Sequence, residues 1–244
     1  MAENKRIDWD QEEQRLYETG VDRGVLYPRG TDGTYETGVP WSGLSNVTEK
    51  PSGAESTSVY ADNIEYLSLQ SVEKFGCTIE AYTYPDEFAE CDGSKEIVPG
   101  VYVGQQTRKR FGFVYRTLIG NPAEGTDYGY KIHFVYNASA SPSEKSNGTV
   151  NESPEAATMS WECSTIAEVL EGMKPTAHVT IVSTKVSKET LEKIEKIIYG
   201  SEEAASRLPT LKELVEILKS DASSYKASGS GVAVRTTASK DNAN

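Results

Sequence analysis

YGYKIHFVYNA, residues 128–138, decides how the rest of the chain is read. Tyr128, Tyr130, Ile132, Phe134 and Tyr136 take one side, while Lys131 and His133 take the other. A period of two marks a strand, because successive side chains point to opposite faces of a sheet. The contrast between the two sides predicts a sheet with one face buried and one exposed. Upstream, KRFGFVYRTLIG (109–120) has the same period. The turn-rich NPAEGTD lies between the two, so they should pair as an antiparallel hairpin.

Working outward, GCTIEAYTY (76–84), ATMSWECST (157–165) and AHVTIVST (177–184) also read as strands. In the first, Cys77, Ile79, Ala81 and Thr83 share a face. Pro85 cannot donate a ladder hydrogen bond, so PDEFAECDGS should turn away as a loop. RLYETGVDRGVLY (15–27) is β-rich but interrupted by Gly20 and Gly24, as a hairpin or bulged strand would be. Residues 27–59 carry Gly or Pro at nearly every fourth position and predict one long loop, a reaching arm.

After residue 186 the period changes. SKETLEKIEKIIYG (187–200) puts Leu191, Ile194, Ile197 and Ile198 on one stripe, with Ser187 as N-cap and Gly200 as stop. A helix over 187–199 is expected to lay Leu191, Ile194 and Ile198 on the chain's own sheet. TLKE (210–213) has capping-box spacing and begins a second, short helix. The tail ASSYKASGSGVAVRTTASKDNAN is rich in Ser, Ala and Gly and is expected to be mobile, or ordered only against a neighbour. The expected division is therefore 1–200, a β domain with its helix, and 201–244, a C-terminal extension. No internal repeat is evident.

The chain has 244 residues, of which 37% are apolar even with 14 Tyr counted. That predicts a thin core and aromatic surface left for partners. Its net charge of −12 repels phosphate and anionic lipid, so binding nucleic acid through a basic patch is excluded. There is no apolar run long enough to cross a membrane, and the charged start predicts a chain that is not exported. Cys77, Cys91 and Cys163 are too few for a disulfide framework and read as reduced thiols.

Chemistry is sparse. A structural zinc takes four ligands, and Cys77 and Cys91 have thirteen residues between them. Asp86, Glu87, Glu90 and Asp92 do not keep the calcium-loop spacing and read as a solvated acidic loop. His133 has no neighbouring partner in sequence, and no GxSxG, HExxH or phosphate loop occurs. No catalytic residue, metal or cofactor is expected. Asn46, Asn137, Asn147 and Asn151 each begin an Asn-x-Ser/Thr triplet, read as chance matches, and RKR (108–110) reads as a salt-bridging face.

VPWSGL (39–44), YADNIEYL (60–67), TIEAYTYPDEFAECDG (78–93), GQQTRKRFGFVYRT (104–117), GYKIHFVYNASASPSEK (129–145) and SPEAATMSWE (153–162) carry an extended resemblance. Together they resemble the major tail tube protein of long, non-contractile (siphovirus-type) bacteriophages of Gram-positive bacteria. The resemblance covers residues 39 to 162. It implies a mainly β fold, a tail-tube-type sandwich or barrel with one α-helix packed on it and a short C-terminal helix. It also implies hexameric rings stacked into a tube, with inner strands of neighbours joining into one barrel. Such a protein has no catalytic site. Its partners are its own copies, the tape-measure protein, the tail terminator and distal tail proteins, and DNA only in transit. Its location is the virion tail, after assembly in the host cytoplasm.

A lean core and long loops suit a subunit completed by neighbours, and sheet edges left open on the monomer would be closed by them. The 40–72 segment and the 84–93 loop are the expected contact regions. Within them Trp41, Tyr60, Asp62, Asn63, Tyr84, Asp86, Glu87 and Phe88 are the expected interface residues. Acidic residues are expected on the lumen wall. The competing readings are a monomeric β-sandwich binding module, the tube subunit of a tail-like bacteriocin, and, third, an enzyme built around His133 and carboxylates.

Overall fold

The computed structural model describes residues 15–149 and 156–227. The expectations for residues 1–14, 150–155 and 228–244, including Asn151 and most of the Ser/Gly/Ala-rich tail, fall outside the described residues. Among the described residues, twelve strands and two α-helices follow in chain order. The first six strands are β1 (Tyr17–Pro28), β2 (Val39–Trp41), β3 (Leu44–Glu49), β4 (Ser56–Ala61), β5 (Ile64–Gln70) and β6 (Gly76–Ala81). Then come β7 (Lys95–Val98), β8 (Val101–Val103), β9 (Phe111–Asn121), β10 (Gly125–Ala140), β11 (Met159–Thr165) and β12 (His178–Val182). The helices are α1 (Lys188–Tyr199) and α2 (Leu211–Ala227).

Eight strands make one antiparallel sheet in the order β2-β1-β9-β10-β11-β6-β3, with β12 also paired to β10. β2 and β3 sit at opposite ends of that order, yet only Ser42 and Gly43 separate them. The sheet is therefore rolled, and one kinked stretch brings its two margins together. Gly43 makes the kink at φ 79°, where its carbonyl accepts from the Tyr82 N–H at 2.9 Å. β2 pairs with β1 alone and β3 with β6 alone, so each keeps one margin with no strand paired to it, as the expectation of open sheet edges has it.

The roll has an inside and an outside, and both are packed. Inside lie Leu26, Trp41, Ile79, Phe111, Phe113, Tyr115, Val135 and Trp161, with Cys77, Cys91 and Cys163 among them. Outside, between the sheet and the helices, lie Tyr27, Val114, Ile132, Phe134, Tyr136 and Ile181. Thus β10 is buried on both faces. Ile132, Phe134 and Tyr136 do share one side as their spacing predicts, but His133 and Val135 are buried on the other. A half-exposed sheet was expected because Lys131 and His133 are polar, and the rolled sheet covers that side instead.

Helix α1 matches its sequence signals. Ser187 accepts the Thr190 N–H, Gly200 ends the helix at φ 82°, and Leu191, Ile194 and Ile198 are buried against the outer face of the roll. Each contributes about 1.5–3 kcal/mol by leaving water. Helix α2 has 17 residues against 12 in α1, so it is not the short helix expected. Thr210 accepts the Glu213 N–H at its start, and Leu208, Leu211 and Leu214 join the same outer cluster as α1.

The long loop expected over 27–59 is corrected: it contains β2, β3 and the start of β4. A register shift between Leu44 and Asn46 breaks the alternation of β3, leaving Leu44 and Val47, three apart, as its inward residues. β1 is a single bulged strand, with register shifts against β9 at Asp22. PDEFAECDGS does not turn away either. A 3-10 turn at Asp86–Phe88 folds it back, so that Phe88 and Cys91 enter the inner core.

Candidate functional site

The eight expected interface residues fall in two places. Tyr60, Asp62 and Asn63 lie at the tip of the β4–β5 hairpin, where Asp62 (φ 51°) and Asn63 (φ 64°) form a two-residue turn. Positive φ at both positions is the turn geometry that matches strand twist, and short polar side chains tolerate it. Asp86 and Glu87 are exposed on the 3-10 turn, and Tyr84 is half-buried beside it. Trp41 and Phe88 are a correction: they are 2% and 0% exposed, so neither can touch a neighbour. Their rings lie 4.5 Å apart, and the Trp41 indole N–H donates to the Thr83 carbonyl at 2.9 Å. An aromatic residue in a Gly/Pro-rich stretch reads as surface until the strand that carries it is known.

Every residue of β4 and β5 is exposed, and the hairpin pairs with no other strand. Its apolar side chains are large: Tyr60 is 70% exposed, Ile64 63%, Tyr66 68% and Leu69 59%. The β7–β8 hairpin repeats the pattern with Ile97, Val98, Val101 and Tyr102. An isolated two-stranded hairpin is marginal in water, and clustered exposed apolar side chains mark surfaces meant for a partner. Behind the second hairpin the basic run behaves as its composition predicts. Arg108 pairs with Asp92, Lys109 with Glu90 and Glu36, and Arg110 donates to the Asn137 carbonyl.

A second constellation closes one end of the roll. His133 on β10 is 5% exposed, and its Nδ1 lies 3.2 Å from Glu49 Oε1 at the end of β3. His178 on β12 brings Nε2 to 3.5 Å from the same oxygen, and the Tyr115 hydroxyl donates to it at 2.9 Å. The rings form a ladder: Phe75 stacks on His178, His178 on His133, and His133 on Tyr115. On the far side of His133, Nε2 is 3.0 Å from Thr117 Oγ1, and that hydroxyl is 2.6 Å from Glu18. Lys131 pairs with Glu18 as well. An open pocket of 370 Å³ borders the group.

Burial, which disfavours imidazolium, pushes His133 down to about 4 and lowers His178 too, although Glu49 pulls both the other way. For Glu18, burial works upward, but hydrogen bonds from Lys131 and Thr117 outweigh it and hold the carboxyl below its ordinary range. Glu49, His133 and His178 are the group among the described residues whose ligand atoms lie close enough to share a metal ion. Sequence reading missed it because its members, at positions 49, 133 and 178, come from three strands and have no local spacing. The cysteines offer no such chemistry: all three are free and buried, and burial pushes the Cys91 thiol up to about 12.

No protein-family model matches the chain, and no curated protein matches it. Among solved structures it is similar to a chain of the anti-feeding prophage baseplate, determined by electron cryomicroscopy with six-fold symmetrisation. The identity is 7%, the match covers 66% of this chain and 93% of that one, and the TM-score is 0.35. Among the described residues no helix is long and apolar enough to cross a membrane.

Proposed function

We propose that the protein is a structural subunit that self-assembles into stacked hexameric rings, the tail tube of a long-tailed bacteriophage. The observation that carries this reading is the β4–β5 hairpin, whose strands are exposed along their whole length and whose apolar side chains have no partner on the chain's own core. Such an arm gains its stability when a neighbouring copy covers it, because anything that binds only the folded state stabilises it by mass action. The sequence resemblance over residues 39 to 162 supplies the kind of assembly. In that setting the tube is built around the tape-measure protein, meets the tail terminator and distal tail proteins at its ends, and conducts DNA without binding it. Six copies of a −12 chain would give the lumen ample acidic charge to repel phosphate.

The test is the size and shape of the purified full chain. Rings or hollow tubes under negative stain, with a sedimenting species near six times the chain mass of 26.7 kDa, are expected. A persistent 26.7 kDa monomer that captures another protein through its arms would favour the binding-module reading instead.

A further inference from the structure

Two of the three cysteines face each other. Cys77 on β6 and Cys163 on β11 are directly opposed in the antiparallel register, and both side chains enter the inner core. Opposed residues of such a pair have Cα atoms about 4.5–5.5 Å apart. A disulfide needs about 4.4–6.8 Å, so the backbone need not move to admit one. The thiols are already in contact. Cys163 donates to the Trp161 carbonyl at 3.7 Å, and its sulfur shares a hydrogen bond with the Cys77 thiol. That bond, together with burial, holds the Cys163 thiol well above its usual range. Cys91 is placed differently. It follows the 3-10 turn at Asp86–Phe88, outside the strands, so no register sets a partner opposite it. A pocket of 330 Å³, open to solvent, is bordered by both Cys77 and Cys163, and a molecule little larger than water can reach them through it.

We propose that Cys77 and Cys163 are a redox pair: thiols while the surroundings are reducing, and a disulfide fastening β6 to β11 once a peroxide is present. One thiolate attacks the peroxide, forming an S–O bond and breaking the O–O bond, and the displaced oxygen leaves as water. The other sulfur then attacks the sulfenic acid so formed, making the S–S bond and releasing a second water. Two thiols and one peroxide become one disulfide and two waters, with two electrons passing from sulfur to oxygen. Burial and the raised thiol slow the first step, since the thiolate is the nucleophile, but they do not decide where the reaction ends. The bond closes a loop from residue 77 to 163, and a cross-link over so long a stretch confines the unfolded chain strongly. It lies within one chain and does not depend on assembly.

The untagged full chain, kept folded, is treated with hydrogen peroxide, then unfolded in iodoacetamide and mapped by mass spectrometry after proteolysis. Cys77 and Cys163 should appear in one cross-linked pair of peptides, with Cys91 alkylated. The rate should climb with pH as more thiolate forms. The oxidised chain should melt about 5 °C or more above the reduced one, and dithiothreitol should reverse the gain. Cys77→Ser and Cys163→Ser should each abolish the cross-link and the shift, whereas Cys91→Ser should keep both. Mapping of the wild-type chain decides the matter even if a variant fails to fold. Alkylation of all three cysteines after prolonged treatment, a cross-link through Cys91, or sulfinic acid at Cys77 or Cys163 in place of the bond would each overturn the proposal.

Discussion

Trp41 shows what a single residue does in this fold. It fills the inside of the roll between Phe88, Phe113 and Trp161, with its indole N–H satisfied by Thr83. Trp41→Ala should therefore cost about 3–5 kcal/mol in the isolated chain, before any assembly step. Urea unfolding checks this, with the midpoint falling and the slope unchanged. A loss below about 1 kcal/mol would mean that the ring is dispensable to the monomer. Glu213 gives a residue-scale pH dependence. Hydrogen bonding from Arg207 holds its folded carboxyl below the ordinary value of 4.5. A depressed folded value means the pair stabilises the chain above that ordinary value and loses its effect as pH falls through the folded one. The stability gap between wild type and Glu213→Gln should be present at pH 7 and vanish in strong acid. It should be smaller than about 1 kcal/mol, because the Arg207 side chain is half exposed and that of Glu213 about a third, so water screens the pair.

At the scale of elements, the arms and the core should respond differently. Ile64→Lys with Tyr66→Thr alters one side of β5, where both side chains are about two-thirds exposed and belong to neither core cluster. The monomer should keep its stability within about 0.5 kcal/mol while ring and tube formation is lost. Unchanged tubes from that variant would remove the arm from the account. This division also explains what the sequence discloses and what it hides. FGFVYR and YKIHFVY are legible because a packed strand needs large residues at every second position, and α1 is legible because its stripe and both caps are local. β3 is hidden by the bulge at Leu44, and β2 by the glycine kink that makes it useful. The β4–β5 and β7–β8 arms leave little alternation to find, since neither face is buried on its own chain. The two faces of β10 differ in chemistry but not in burial, so polarity alone misassigns His133. Its partners Glu49 and His178 meet it only once the sheet has rolled.

For the whole molecule, charge and margins matter together. The roll leaves β2, β3 and β12 each with one unpaired margin, so association falls to these edges and to the two hairpins that pair with no other strand. Each copy brings −12 charges to that association. Assembly should therefore become easier as ionic strength rises from about 0.01 M to 0.15 M, where the Debye length shortens from about 30 to 8 Å. Light scattering across a salt series checks this, and tubes that dissolve as salt rises would point to interfaces held by ion pairs. The most direct measurement is electron microscopy of the purified full chain, with its mass followed by sedimentation as concentration increases. The account predicts six-fold rings that stack into hollow tubes with the β4–β5 arms covered by neighbouring copies. A chain that stays a 26.7 kDa monomer at every concentration reached, with its arms still open to solvent, would contradict it.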